Sequence, residues 1–173
     1  GFNHPDFMDD ATCQKMLNAC RNKIANSDLY TTELAEFVES FGTKVTPEGY
    51  SHHFWVSGGT LAVENALKTA FDWKARKLGR SDFHDDVNDL VILHFNQAFH
   101  GRSGYTMSLT NTLPDKVGLY PKFDWPRVSN PFCEFDNDGN VTNDIEAVEA
   151  KTYKEIENAF DAHSNKIAAI IIE

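Results

Sequence analysis

His53-Phe54-Trp55-Val56-Ser57-Gly58-Gly59-Thr60-Leu61-Ala62-Val63-Glu64-Asn65-Ala66-Leu67-Lys68 decides the fold, because the chain changes its periodicity in the middle. His53 to Val56 reads as a short strand, the paired glycines break it, and Leu61 to Leu78 reads as a long helix ending at Gly79. That helix places Ala62, Ala66, Ala70 and Phe71 toward a core. Glycines between a strand and a helix let the backbone turn sharply and approach a ligand. The first N–H groups of the helix point outward unpaired, and the helix dipole adds to their pull on an anion. Thr60 can add a hydroxyl, so the turn can form a phosphate cradle; a plain connecting turn is the competing reading. Neither a Walker A loop nor the Gly-x-Gly-x-x-Gly dinucleotide fingerprint is present.

Downstream, Asp89 to Phe95 contains Leu90-Val91-Ile92-Leu93, a continuous apolar run of the kind buried on both faces of a parallel sheet. Ile167 to Ile172 is a second such run. Helical spacing covers residues 10–26, then Thr32 to Phe41 with Gly42 expected to end it. Asn143 to His163 returns to helix, with Asn143 and Glu146 as a capping pair. Residues 103–140, punctuated by Pro114, Pro121, Pro126 and Pro131, read as irregular. Strands alternating with helices indicate an α/β domain with a mainly parallel sheet and flanking helices.

Phe99-His100-Gly101-Arg102-Ser103-Gly104-Tyr105 follows the first apolar strand. Loops beyond the carboxyl ends of parallel strands are where such sheets bind ligands. Phe99 offers a flat face for a planar ring and Arg102 a fork for a carboxylate; a solvated surface loop is the plain alternative. Gly101-Arg102-Ser103-Gly104 lacks the spacing of a hydrolase elbow, which argues against Ser103 as a nucleophile.

Bulk properties narrow the remaining classes. The 173 residues suit one globular domain, and 41% hydrophobic content is ordinary. A net charge of -10 without any Lys/Arg run longer than two argues against nucleic acid or an anionic membrane surface as partner. No apolar run approaches the roughly 20 residues of a membrane span. Gly1-Phe2-Asn3-His4-Pro5 has no basic region followed by an apolar one, so a cytoplasmic location is expected. Cys13, Cys20 and Cys133 share no metal spacing and read as free thiols. His84-Asp85-Asp86 and Asp136-Asn137-Asp138-Gly139-Asn140 read as turns, and no metal site is expected. Trp55, Trp73 and Trp125 read as packing residues.

Taken together, the two segments carry a family resemblance. Gly58-Gly59-Thr60-Leu61-Ala62-Val63-Glu64-Asn65-Ala66-Leu67-Lys68 resembles the phosphate-binding turn of class III aminotransferases, roughly Ser-Gly-Thr-Glu-Ala-x-Glu-Ala. Gly59, Thr60 and Glu64 match it, while Gly58 replaces its serine and Leu61 its first glutamate. Phe99-His100-Gly101-Arg102 resembles the family's Tyr-His-Gly-Arg. Ala70-Phe71-Asp72-Trp73-Lys74, Ser108-Leu109-Thr110-Asn111-Thr112 and Pro121-Lys122-Phe123-Asp124-Trp125-Pro126-Arg127 are similar to the lysine 6-aminotransferase branch.

The resemblance implies a partial large domain of a fold-type I pyridoxal-phosphate-dependent transferase, with residues 1–173 as its N-terminal part and the small domain lying elsewhere. It implies that Gly59 and Thr60 hold the phosphate of pyridoxal 5'-phosphate, that Phe99 stacks on its ring and that Glu173 lies near that ring. It implies that Arg102 binds the substrate carboxylate distant from the reacting carbon. The implied reaction moves the ε-amino group of L-lysine to 2-oxoglutarate, giving 2-aminoadipate 6-semialdehyde and L-glutamate, in a homodimer. The family's Schiff-base lysine is expected beyond Glu173, so no catalytic residue is expected among these 173 and the chain alone is expected to be inactive. Gly1 beginning in mid-phrase and the apolar strand before Glu173 fit an internal piece of a longer protein. An ornithine or 4-aminobutyrate aminotransferase, or a non-catalytic phosphate-ligand-binding relative, are the alternatives.

Overall fold

The computed structural model describes residues 2–22 and 29–173. It divides into two compact units, Gly1–Phe54 and Trp55–Glu173.

In the first unit, helix α1 spans Asp10–Asn22, and the Asp9 carboxylate caps it by accepting from the Ala11 and Thr12 N–H groups at 3.2 and 2.9 Å. The expected continuation of this helix to residue 26 lies outside the described residues. Helix α2 spans Thr32–Lys44 with Thr31 as its cap. It runs through Gly42 instead of stopping there, because one interior glycine costs only about 1 kcal/mol. The helix ends where Val45 N–H, Thr46 N–H and the Thr46 hydroxyl all converge on the Phe41 carbonyl.

The second unit holds the sheet. Helix α3 (Gly59–Lys77) leads to strand β1 (Val91–Phe95), then to short helices α4 (Gly104–Leu109) and α5 (Pro114–Val117) and strand β2 (Arg127–Val128). Helix α6 (Ile145–His163) and strand β3 (Ile167–Ile171) follow. The order is β2-β1-β3 and both pairings are parallel, with His94 beside Arg127 and Leu93 beside Ile170. The expected strand at His53 to Val56 does not form; residues 51–56 join no ladder among the described residues. The stretch expected to be irregular instead contains α4, α5 and β2.

Central β1 is buried along its whole length, and Ile92 and Leu93 are fully enclosed. Each such side chain contributes roughly 1.5–3 kcal/mol. Leu67 from α3, Leu109 from α4, Val128 from β2 and Ala159 from α6 pack into the same core. On α3 the buried line is Glu64, Leu67 and Ala75, with Val63 and Phe71 half-buried; Ala62 and Ala66, expected inside, face outward. Val63, Leu67, Phe71 and Ala75 recur every four residues on one helical stripe that Ala62 and Ala66 do not share, and the three large side chains on it set the face that packs on the core.

Four rings tie α3, α4 and the approach to β2 together. Phe123 stacks on Trp125 at 5.0 Å, and Phe71 and Tyr105 lie 5.6 and 5.7 Å from Trp125. Trp73 is exposed instead, with the Lys77 ammonium 4.6 Å from its ring. Ahead of the strands, Asp89 pairs with Arg80 and with Lys166 (3.6 Å), which holds the leads into β1 and β3 together. The Arg80 hydrogen bond keeps the Asp89 carboxyl below its usual range. The α6 cap is Asp144, which accepts from Ala147 N–H, and not Asn143. Asn143 holds the preceding loop, accepting from Glu134 N–H and donating to the Phe132 carbonyl.

Candidate functional site

The backbone at Gly58 explains why the turn opens as it does. Gly58 sits at φ 91°, in the left-handed region where a side chain is strained, and it serves as N-cap without any side-chain hydrogen bond. The first turn of α3 carries no acidic residue. Among the described residues the leading N–H groups of this 19-residue helix have no side-chain cap, in surroundings open enough that a Cβ on Gly58 or Gly59 would touch nothing within 4 Å. That arrangement suits an anion.

The Phe99–Arg102 loop follows β1 after residues 96–98, and the backbone of this whole stretch is tied down from several sides. His100 N–H donates to the Thr110 hydroxyl at 2.9 Å, and that hydroxyl donates to the Gly101 carbonyl at 2.6 Å. Asn111 N–H donates to the Ala98 carbonyl, and the Asn111 amide to the Asn96 carbonyl. Phe99 N–H donates to Glu173 Oε2 at 2.5 Å, which joins the loop to the chain beyond β3.

Turn and loop meet at Gly101. Its φ is 123°, and a Cβ placed there would lie 2.5 Å from Thr60 Oγ1 and 2.8 Å from Thr106 Oγ1. Only glycine admits this approach. One turn further along α3, Glu64 Oε1 accepts from Ser103 Oγ (2.5 Å), Tyr105 N–H (2.8 Å) and Thr106 N–H (3.2 Å). Ser103 Oγ also lies 2.9 Å from Thr106 Oγ1, so its hydroxyl is engaged in the fold and not aimed at a substrate.

Gly59, Thr60, Phe99, Arg102 and Glu173 therefore belong to one connected region at the carboxyl ends of β1 and β3. Phe99 is 48% exposed, so one face remains open. Arg102 is exposed and makes no ion pair or hydrogen bond among the described residues. His100 is 8% exposed and its Nε2 has no partner among the described residues. Burial lowers its pKa, with the Glu173 charge opposing.

Sequence reasoning missed the ties. Glu64 stood in the quoted motif with no task, and Thr106 and Thr110 were not singled out. One signal was available: Glu64 is a carboxylate on the buried stripe of α3, where an unpaired charge would be costly.

A separate cleft of about 310 Å³ lies between β1, β2 and the chain after α4, lined by His94, Ser108, Thr110, Asn111, Lys122, Trp125 and Arg127 among others. Burial, then the nearby Arg127, pushes the His94 pKa down to about 4. Arg127 Nη2 donates to the Ser108 carbonyl at 3.1 Å. No group of three metal-ligating side chains occurs among the described residues. Asp136 accepts from Asp138 N–H and from both nitrogens of Asn140, and Gly139 is at φ 85°, as a turn requires. Among the described residues no helix is long and apolar enough to cross a membrane.

Against known proteins, the class III aminotransferase profile matches residues 1–173. The chain is 46% identical to the L-lysine-epsilon aminotransferase of Amycolatopsis lactamdurans, covering 100% of this chain and 38% of that protein. It is 30% identical to a probable mitochondrial 4-aminobutyrate aminotransferase of Caenorhabditis elegans, covering 39% of it. Among solved structures, a lysine aminotransferase from M. tuberculosis in the internal aldimine form superposes with a TM-score of 0.83 at 39% identity, over 100% of this chain and 39% of that one. The chain thus spans about two fifths of the length of these relatives.

Proposed function

This chain belongs to the class III aminotransferase family, and we propose that it forms the N-terminal part of the pyridoxal-phosphate-binding large domain of an L-lysine 6-aminotransferase. The parent enzyme transfers the ε-amino group of L-lysine to 2-oxoglutarate, releasing 2-aminoadipate 6-semialdehyde and L-glutamate. The observation that carries this reading is the close approach of Gly101 to Thr60, which supports taking the turn as the anion-binding part and the loop as the carboxylate-binding part of one site.

Pyridoxal 5'-phosphate, when bound, supplies the electron sink for amino transfer. The residues present fit it, since the uncapped and acid-free start of α3 suits a phosphate and the open face of Phe99 suits a ring. The backbone N–H groups of Gly59 and Thr60 take the phosphate. Phe99 would stack on the ring and Glu173 would lie near it, a reading supported by the hydrogen bond from Phe99 N–H to the Glu173 carboxylate. Arg102 takes the carboxylate far from the reacting carbon. In L-lysine that is the α-carboxylate and in 2-oxoglutarate the γ-carboxylate, so one guanidinium serves both half-reactions.

The catalytic lysine and the small domain are assigned to other parts of the parent protein, and residues 1–173 alone are expected to be inactive. The parent is further proposed to be a cytoplasmic homodimer. The similarity to a 4-aminobutyrate aminotransferase defines the competing substrate. The full-length protein assayed with L-lysine, L-ornithine and 4-aminobutyrate, each with 2-oxoglutarate, separates the readings. A higher kcat/KM for L-lysine supports the proposal. A preference for either other amine overturns the substrate, and failure to transfer from all three favours a binding relative without catalysis.

A further inference from the structure

Glu64 is 8% exposed, and a position needed only for packing would suit an apolar side chain, as Leu67 shows on the same face of α3. Instead a single oxygen of Glu64 takes three hydrogen bonds from Ser103, Tyr105 and Thr106, 39 to 42 residues away in sequence. Thr60 and Glu64 are spaced i, i+4 and so lie one above the other on α3. Thr60 meets Gly101 and Glu64 holds Ser103. Arg102 lies between those two anchored residues, with its own side chain in solvent.

We propose that Glu64 is a positioning residue: its carboxylate ties the phosphate-binding turn to the Phe99–Arg102 loop and so sets the distance at which the cofactor phosphate and the substrate carboxylate are read. The proposal rests on the reading of those two segments given above. A helix that slid along its axis without this tie would carry Gly59 and Thr60 away from Phe99 and Arg102 together. Both binding events then weaken from one substitution that touches neither ligand.

The test uses the full-length protein with Glu64→Gln, Glu64→Ala, Ser103→Ala, Arg102→Ala and the Glu64→Gln/Arg102→Ala double variant. The readouts are the dissociation constant of pyridoxal 5'-phosphate, KM and kcat for the amine, and Tm. Glu64→Gln is expected to weaken the cofactor and raise KM about tenfold each, with kcat changed less. Ser103→Ala is expected to move both in the same direction by about threefold. In the double variant KM is expected to stay within about twofold of Arg102→Ala alone, because the tie acts on KM through that arginine. A lowered Tm with unchanged dissociation constant and KM overturns the proposal, as does full additivity in the double variant. If Glu64→Ala does not fold, the glutamine and Ser103→Ala variants decide. If the wild type binds pyridoxal 5'-phosphate without using L-lysine, the substrate reading alone falls and the dissociation constants decide the role of Glu64. If the wild type binds no pyridoxal 5'-phosphate, both fall.

Discussion

The Gly58–Thr60 turn and the Phe99–Arg102 loop lie in contact yet are built on opposite plans. The turn has no side-chain cap, no acid in its first helical turn and open space around both glycines. The loop has its backbone engaged by Thr110 and Glu173, with Asn111 holding the residues just before it and Glu64 those just after it. The contrast follows from what each part offers a ligand. In the proposed function the turn binds through main-chain donors, which must then stay unspent. In the same reading the loop binds through the side chains of Phe99 and Arg102, so its main chain can be committed to the fold, and that commitment would aim them.

The contrast breaks first at the contact point. Gly101→Ala places a Cβ 2.5 Å from Thr60 Oγ1 at a φ that disfavours side chains, and should destabilise the protein by about 3 kcal/mol in urea unfolding. An unchanged midpoint would mean that turn and loop do not touch as described. Arg102→Ala should do the reverse, raising KM for L-lysine and 2-oxoglutarate about tenfold while Tm stays within about 1 °C, since the side chain is solvent-exposed and unpaired here. A stability loss without a KM change would place Arg102 in the fold and not in the site.

The buried strand that leads to the loop should show in the pH dependence. His94 is 1% exposed with its pKa lowered from 6.5 to about 4. Between those values the unfolded chain binds a proton that the folded one refuses. Stability from His94 is therefore complete above pH 6.5 and is lost as pH falls toward 4. It should drop by about 1 kcal/mol between pH 6.5 and 5.5, and His94→Gln should remove that part of the slope. The smallest effect is expected on the open side. Gly58→Ala meets no atom within 4 Å but keeps φ 91° and ψ 156°, a backbone region that favours glycine, so with no clash added it should cost about 1 kcal/mol in unfolding. A cost as large as that of Gly101→Ala would show the turn to be as crowded as the loop.

What could be read from the residues depended on how local the cause was. Helix α3 and strands β1 and β3 were legible because their patterns run for several residues and end at glycine or at polar residues. Strand β2 was not, because its two residues carry no period and form a strand only by pairing with His94 and Phe95. Helix α4 begins at Gly104 and lasts six residues, and part of what holds it is Glu64, 41 residues earlier at Tyr105. Asn143 and Asp144 are equally good caps in sequence, and the choice was made by the Phe132–Glu134 loop, which recruits Asn143. The candidate site residues could be named one by one, and the motif resemblance supplied the roles proposed for them. Their ties through Glu64 and Thr110 were not legible, because each joins segments that only the fold brings together.

The most direct test of the central claim, that turn and loop are two halves of one site, is a crystal structure of the full-length protein with pyridoxal 5'-phosphate bound. The account requires phosphate oxygens about 2.7–3.2 Å from the Gly59 and Thr60 N–H groups and the pyridine ring stacked on Phe99. A phosphate bound away from that turn, or a ring with no contact to Phe99, would contradict it.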